Sequence, residues 1–330
     1  MKIFITGGAG FIGSHIVDFY LEKNYEVIVF DNFSSGSRLN LNLKHKNLTL
    51  IEGDILNLKL LTESMKDCDY VSHHAAQLEI FLAFDDPFED LKINTLGTLN
   101  VLKAAKENKI KKVINISSAC VYGQTKTSTS ENDITSPNWD YGVSKLAAEK
   151  YAKIYNDYKN LNVVSLRYGI VYGEREWFRR VLPIFLKRVI LKESPVIFGE
   201  GNQIRDFIYV KDVVEVHHKC LLSDQANGKV FNVGSGQKTS IVALANMCIN
   251  VSGYNLEVIH EDTSEGEFSK LIEGKKRNTS ELDMMSLDIS KAKKILDWEP
   301  KIGLFEGLKK EFDWAKINLK RWEKIYSTKW

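Results

Sequence analysis

Apolar residues recur along this chain in two rhythms. Through the first half, short runs of β-branched and aromatic residues alternate with longer stretches whose apolar positions return every three or four residues. The runs at 2–6, 26–30, 48–52, 70–73, 112–117 and 162–167 predict strands. Several are apolar at nearly every position, which predicts strands covered on both faces of a parallel sheet. The stretches at 14–23, 94–108 and 141–158 predict helices between them. Strand and helix in such alternation imply right-handed crossovers, and hence an α/β fold with a doubly wound parallel sheet.

Past residue 167 the rhythm loosens. A Tyr-Gly-rich loop precedes a basic and aromatic helix expected over 177–191. A strand at 195–198, a glycine turn at 199–201, a strand at 230–236 and a polar stretch at 261–281 follow. This pattern divides the chain into a nucleotide-binding domain over 1–168, with 203–234 returning to it, and a smaller α/β substrate-binding lobe over 169–202 and 235–330. With 330 residues, 44% of them hydrophobic, there is ample material for a core of this kind. A net charge of +2 gives no global reason to expect a nucleic-acid partner. Cys68, Cys120, Cys220 and Cys248 lie far apart, so neither a disulfide framework nor a zinc site is expected, and reduced thiols in a cytoplasmic protein fit better. No signal-like leader and no apolar run of membrane-spanning length is present, so no membrane partner is expected.

Chemistry enters at the end of the first strand. Gly7, Gly10 and Gly13 follow it in a GxxGxxG arrangement before a helix. The first glycine permits the tight turn, the second lets a pyrophosphate approach the backbone, and the third lets helix and strand pack closely. Free N–H groups and the positive end of the helix then face the phosphates. Asp31 closes the second strand at the spacing of an acid that accepts hydrogen bonds from a ribose and repels a 2′-phosphate, which selects NAD over NADP. This is a Rossmann-type arrangement.

A second constellation lies downstream. Tyr141 and Lys145 stand four residues apart, on one face of the expected helix. A free phenol titrates near about 10, and a neighbouring ammonium favours its ionised form, so the pair suits proton exchange with a hydroxyl group. Ser117 and Ser118 end an apolar strand and offer a hydroxyl to hold the same oxygen. His73, His74, His217 and His218 show no spacing that joins them into a metal site, and no metal is expected.

These features occur in a longer order. The segments TGGAGFIG (6–13), DNFSSG (31–36), GDI (53–55), HHAAQ (73–77) and INTLGTLNVL (93–102) come first. SSACVYG (117–123), YGVSK (141–145), RYGIVYG (167–173), RDFIYVKDV (205–213) and LDISKAKKILDWEP (287–300) follow. The succession resembles that of NAD-dependent sugar-nucleotide epimerases and dehydratases, the UDP-glucose 4-epimerase-like branch of the extended short-chain dehydrogenases. The resemblance implies a catalytic set of Ser118, Tyr141 and Lys145. At the cofactor it implies Gly7, Gly10, Phe11, Ile12 and Gly13 for the pyrophosphate and Asp31, Asn32, Ser35 and Gly36 for the adenosine ribose. Asp54 and Ile55 would flank the adenine, Ala75, Ala76 and Gln77 would line the channel with Asn94 in support, and Tyr168 would lie near the nicotinamide. Arg205 resembles the arginine that binds the nucleotide diphosphate, since a guanidinium makes paired bonds to phosphate oxygens, and Arg175 and Arg277 are further candidates. Trp177, Phe178, Arg179 and Arg180 are candidates to line the pocket.

What the resemblance implies about the reaction is a 4-epimerase of a UDP-hexose or UDP-uronate, working through a 4-keto sugar. Similar dehydratases carry Asp-Glu where this chain has Ala119-Cys120, and neither of these can serve as the acid and base of water elimination. Glu79 is a further acidic candidate near the sugar. Similar UDP-sugar epimerases read Arg-Tyr-Phe-Asn where this chain reads Arg167-Tyr168-Gly169-Ile170, so a phosphate-contacting asparagine is missing. A 4,6-dehydratase, decarboxylase or oxidoreductase of the same fold remains an alternative, as does a non-catalytic NAD-sensing regulator. A homodimer is expected from the same resemblance.

Overall fold

The computed structural model describes residues 1–78, 80–176, 180–277, 279 and 281–327. Glu79, Trp177, Phe178 and Arg179 lie outside the described residues. The first half runs β1 (Lys2–Thr6), α1 (Phe11–Glu22), β2 (Glu26–Asp31), β3 (Leu48–Glu52), α2 (Leu58–Ser64) and β4 (Tyr70–His73). Then come α3 (Ile80–Asp85), α4 (Pro87–Asp90), a π-helical turn (Leu91–Gly97), α5 (Thr98–Glu107), β5 (Lys112–Ser118), α6 (Asp140–Tyr158) and β6 (Val163–Tyr168). The second half holds β7 (Ile170–Tyr172), α7 (Val181–Ile190), β8 (Val196–Phe198), β9 (Ile204–Arg205), β10 (Phe207–Tyr209) and α8 (Val210–Leu222). It ends with β11 (Val230–Val233), β12 (Thr239–Ser240), α9 (Ile241–Ser252), β13 (Ile259–Glu261), α10 (Ser290–Leu296) and α11 (Leu304–Ser327).

Seven strands form one sheet in the order β11-β6-β5-β4-β1-β2-β3, with every neighbouring pair parallel. Alternation along each strand divides the core between two faces. Ile3, Ile5, Val27 and Val29 join Ile16, Val17 and Tyr20 of α1 and Val213 of α8. Phe4, Ile28, Phe30 and Val71 join Leu61 of α2, Val101 and Leu102 of α5 and Ala152 of α6. Helices on both faces make this the doubly wound Rossmann-type sheet. The order of connections reverses between β1 and β4, so a crevice opens at their carboxyl ends.

The elements after β6 share the first of these cores. Leu182, Phe185 and Leu186 of α7, Leu244 and Cys248 of α9, and Leu308 and Phe312 of α11 belong to the same buried cluster as Ile3 and Val17.

Several boundaries differ from those read in the sequence. Helix α1 begins at Phe11 rather than 14, because the turn closed by Gly10 N–H on Gly7 O (3.1 Å) ends where Gly10 is still extended. The helix expected over 177–191 is described from Val181, since Arg180 is extended and acts as its N-cap. The helix expected over 94–108 starts earlier, in the wide turn Leu91–Gly97, and continues as α5. Within 203–234, β11 joins the large sheet beside β6, whereas 204–209 does not. Gly169 N–H still donates to Val233 O (2.9 Å), but Ile170 N–H turns to Asp206 O (2.8 Å). From there β7 pairs with β10 instead, while β9 pairs with β12.

Candidate active site

A cavity of about 770 Å³ occupies the crevice at the carboxyl ends of β1, β2 and β4–β6 and extends to α7, β8 and β9. Its nucleotide half is built by the loop after β1. Gly7 has φ +66°, and a Cβ there would stand 2.5 Å from Ala75 N, so the loop tolerates no side chain at this position. A Cβ on Gly13 would stand 2.2 Å from Gly7 O, which explains how α1 comes so close to the strand. At Gly10 a Cβ would meet only Gly7 O, at 3.2 Å; its cavity side is open, and any side chain would fill the approach to the helix end. No side chain caps α1, so the first N–H groups, of Phe11, Ile12 and Gly13, are left for a ligand. Gly7, Gly10, Phe11, Ile12 and Gly13 all line the cavity.

Asp31 is buried at the end of β2, where its Oδ2 accepts from Ala9 N–H (2.9 Å) and its Oδ1 from Phe33 N–H (2.8 Å). Both oxygens are thereby fixed in direction, and Asp31, Asn32 and Ser35 line the cavity. Gly36 does not line it; a Cβ there would press on Asp31 Oδ1 at 3.0 Å, so its place is behind the carboxylate. Asp54 and Ile55 line the far wall, and Asn32 Nδ2–H donates to Asp54 Oδ2 (3.0 Å). Ala75, Ala76 and Gln77 line the channel after β4. Asn94 lies behind them, accepting from Gln77 N–H (2.9 Å) and donating to Gln77 O (3.1 Å). The open Gly10 cradle, the uncapped helix end and the oriented Asp31 together fit a dinucleotide.

The chemical half brings Ser118, Tyr141 and Lys145 to the same wall. Ser118, at the end of β5, accepts from Cys120 N–H (3.1 Å). Burial pushes the Tyr141 phenol well up, with the nearby Cys120 thiol adding to the shift and Arg180 and Ser118 opposing it. Desolvation dominates, Lys145 is not among the charges that oppose it, and the chain's own groups leave Tyr141 a neutral phenol. Burial pushes Lys145 down to about 8, opposed by the charges of Asp90 and Glu149. Among the described residues Lys145 Nζ has no hydrogen-bond or ion-pair partner, so a buried ammonium faces the cavity with its donors available. Tyr168 lines the wall nearby, its buried hydroxyl also without a hydrogen-bond partner among the described residues.

The anion candidates separate. Arg205 lines the cavity, tied by Nη1–H to Leu282 O (2.8 Å) and Ile204 O (2.9 Å), with Glu281 at 3.9 Å. Arg175 does not: its backbone has φ +71°, which turns the side chain to Asp18 (2.7 Å) and Ser14 Oγ (3.1 Å), on the flank of α1 away from the wall. Arg277 is also absent from the wall, held by Thr263 O (2.7 Å) and Glu281 (3.4 Å). In their place Arg180, Lys275 and Lys276 line it. Arg180 was one of four adjacent candidates, and the two lysines lie in a polar stretch whose composition gives no sign of facing a cavity.

The histidines are brought together by the fold in a way no spacing announces. His217 shares hydrogen bonds with Ser72 Oγ (2.7 Å) and Tyr20 OH (3.2 Å), and Ser72 Oγ with His74 (2.8 Å). Burial pushes both His73 and His74 down to about 3, so they stand neutral. Among the described residues no group of three or more His, Cys, Asp or Glu is arranged to hold a metal ion. No described helix is long and apolar enough to cross a membrane.

Comparison with known proteins gives consistent results. The family described as "NAD dependent epimerase/dehydratase family" matches over residues 3–234. A Methanocaldococcus jannaschii protein with the provisional name UDP-glucose 4-epimerase is 37% identical over 322 residues, which is 96% of this chain and 99% of its own. The dTDP-D-glucose 4,6-dehydratase of Homo sapiens is 32% identical, over 98% of this chain and 92% of its own. The crystal structure of UDP-glucose 4-epimerase from Thermotoga maritima with UDP-glucose superposes with a TM-score of 0.87 at 34% identity, covering 97% of this chain and 100% of that one.

Proposed function

The chain belongs to the NAD-dependent epimerase/dehydratase family, an NAD-using family of enzymes acting on sugar nucleotides, and on that premise we propose that it is a 4-epimerase of a nucleotide-diphosphate sugar. The substrate class is a UDP-hexose or UDP-uronate, and the reaction passes through a 4-keto sugar. NAD, held by the Gly7–Gly13 loop and Asp31, would supply the acceptor and donor of the hydride exchanged with the sugar carbon. Tyr141 exchanges the proton of the 4-hydroxyl, Ser118 holds the same oxygen, and the Lys145 ammonium, together with the positive charge that bound NAD would add, offsets the burial that otherwise keeps the phenol neutral. Arg205, with Arg180 and the paired lysines 275 and 276, carries enough positive charge to hold a diphosphate while the sugar turns.

One observation carries this reading. Ser118, Tyr141 and Lys145 converge on one wall, while the strip that follows Ser118 is Ala119-Cys120, both buried and with no carboxylate. Burial pushes the Cys120 thiol up, which keeps it neutral and unfit for acid–base work on a leaving hydroxyl. The purified protein, incubated with UDP-, GDP-, CDP- and dTDP-sugars and followed by NMR, is expected to interconvert 4-stereoisomers of a UDP-sugar without net NADH. Loss of water or carbon dioxide would instead identify a dehydratase or decarboxylase, and no turnover would identify a sensor.

The protein is further proposed to act as a homodimer. Phe84, Phe88, Leu91 and Leu96 are exposed on the segments packed beside α6, and Tyr151, Ile154 and Tyr158 are exposed along one stripe of α6 itself. A second copy offering the same stripe would cover this face by two-fold symmetry.

A further inference from the structure

We propose that Asp90 is a positioning residue of the active site, which by its hydrogen bonds and its own negative charge keeps the Lys145 side chain a charged ammonium facing the cavity. The inference rests on the reading of this cavity as the epimerase site.

Asp90 is 1% exposed, at the end of α4 where the π-helical turn begins. Such turns insert a residue into a helix and re-aim the side chains that follow. Here the turn carries Asn94 inward, and Asn94 Nδ2–H donates to Asp90 Oδ1 (2.8 Å) and approaches Ser144 Oγ (3.3 Å). Ser144 Oγ–H donates to Tyr141 O (3.0 Å), and its backbone carbonyl accepts from Thr95 Oγ1–H (3.1 Å). Ser144 directly precedes Lys145. Asp90 is thus joined through the Asn94 amide both to the helix that carries the catalytic pair, at the residue beside Lys145, and to the cofactor channel at Gln77.

Charge bookkeeping around Lys145 singles out the same residue. The titratable groups facing it are Asp90 from α4, Glu149 one turn along its own helix, and His73 and His74 from β4. Both imidazoles are neutral, as derived above. Glu149 is already neutralised by the Arg167 guanidinium at 2.6 Å. Asp90 has no cation within 4 Å among the described residues, so its field is the one not spent locally. A buried carboxylate without a contact counter-ion is costly, and burial does push Asp90 up, while Ser144, Lys145 and Asn94 oppose that shift. The fold retains the residue where its charge falls on Lys145.

The test separates charge from shape. Asp90→Asn keeps an oxygen acceptor for Asn94 and removes the charge; Asp90→Ser is a smaller second variant. Lysine side-chain NMR on the NAD-containing protein, with the Lys145 signal assigned by its loss in Lys145→Met, reads the Lys145 titration directly. In either folded variant the Lys145 midpoint is expected to fall by about one pH unit, a tenfold loss of proton affinity. The alkaline fall of kcat should move to lower pH with it. A Lys145 midpoint equal to wild type in a folded variant overturns the proposal. Failure of both variants to fold also overturns it, since Asp90 would then serve the fold rather than the site. If the wild-type protein epimerises nothing, the proposed function fails while the NMR arm still decides the role of Asp90.

Discussion

Arg167 and Glu149 face each other in the buried layer between β6 and α6. Nε–H and Nη2–H of the guanidinium donate to the two carboxylate oxygens at 2.9 and 2.6 Å, and both side chains are 4% exposed. Ser117 Oγ–H donates to the same carboxylate (3.0 Å), and Arg167 Nη1–H to Tyr122 OH (2.7 Å). The pair fastens the helix of Tyr141 and Lys145 to the strand that ends in Tyr168. Glu149→Ala leaves a guanidinium buried and unpaired and is expected to destabilise the protein by about 3–5 kcal/mol, read from urea unfolding. Stability within experimental error of wild type would show that the bond is dispensable.

Tyr141→Phe keeps the ring and removes the proton acceptor. Turnover of the UDP-sugar is expected to fall by roughly 10²–10⁴-fold, with NAD content unchanged on denaturation and quantitation. Near-normal turnover would move the proton chemistry to another group.

Gly13→Ala places a methyl group where Gly7 O stands at 2.2 Å from the Cβ position. The loop must move, and with it the N–H groups at the start of α1. The variant is expected to be purified largely without NAD; full NAD occupancy would mean that the loop is not the phosphate cradle.

His73 and His74 titrate at about 3 in the folded protein against 6.5 for the free side chain. Below pH 6.5 the unfolded chain binds protons that the native imidazoles refuse, so stability is full above that value and lost as pH falls toward 3. Each contributes a slope of up to about 1.4 kcal/mol per pH unit. Urea midpoints at pH 7 and pH 5 should show the drop, and His74→Gln should make it shallower. An unchanged slope in that variant would count against the burial argument.

Ile154→Lys, on the exposed stripe of α6, is expected to convert a dimer into monomers by light scattering without loss of folded protein. A wild-type protein that is monomeric at working concentration would remove the proposal about this face.

The parallel sheet was readable because its inner strands are apolar at nearly every position and its edge strand β3 is a short apolar run: β1, β3 and β4 fall where the runs at 2–6, 48–52 and 70–73 place them. The glycine loop was readable for a different reason, since Gly7 and Gly13 answer contacts that no side chain tolerates and Gly10 leaves the approach to the helix end open. What stayed hidden depends on distance in the chain. Phe11-Ile12-Gly13 reads as loop because its glycine spacing masks a first helical turn. Arg175 carries the right chemistry for a phosphate, but a left-handed backbone and the nearby Asp18 spend it elsewhere. Asp90 sits in an ordinary acidic stretch, and only the widened turn after it brings it next to Lys145's helix.

The apolar interior passes from the large sheet into α7, α9 and α11 without a break. Swinging one half of the molecule away from the other would pull buried side chains such as Phe185 and Leu308 into water, at about 1.5–3 kcal/mol for each one fully exposed. A clamshell motion is therefore the expensive route to the crevice. The two walls of the crevice are thus held at a fixed separation, and the segment that carries Ile272, Lys275 and Lys276 lines it without taking part in that shared interior.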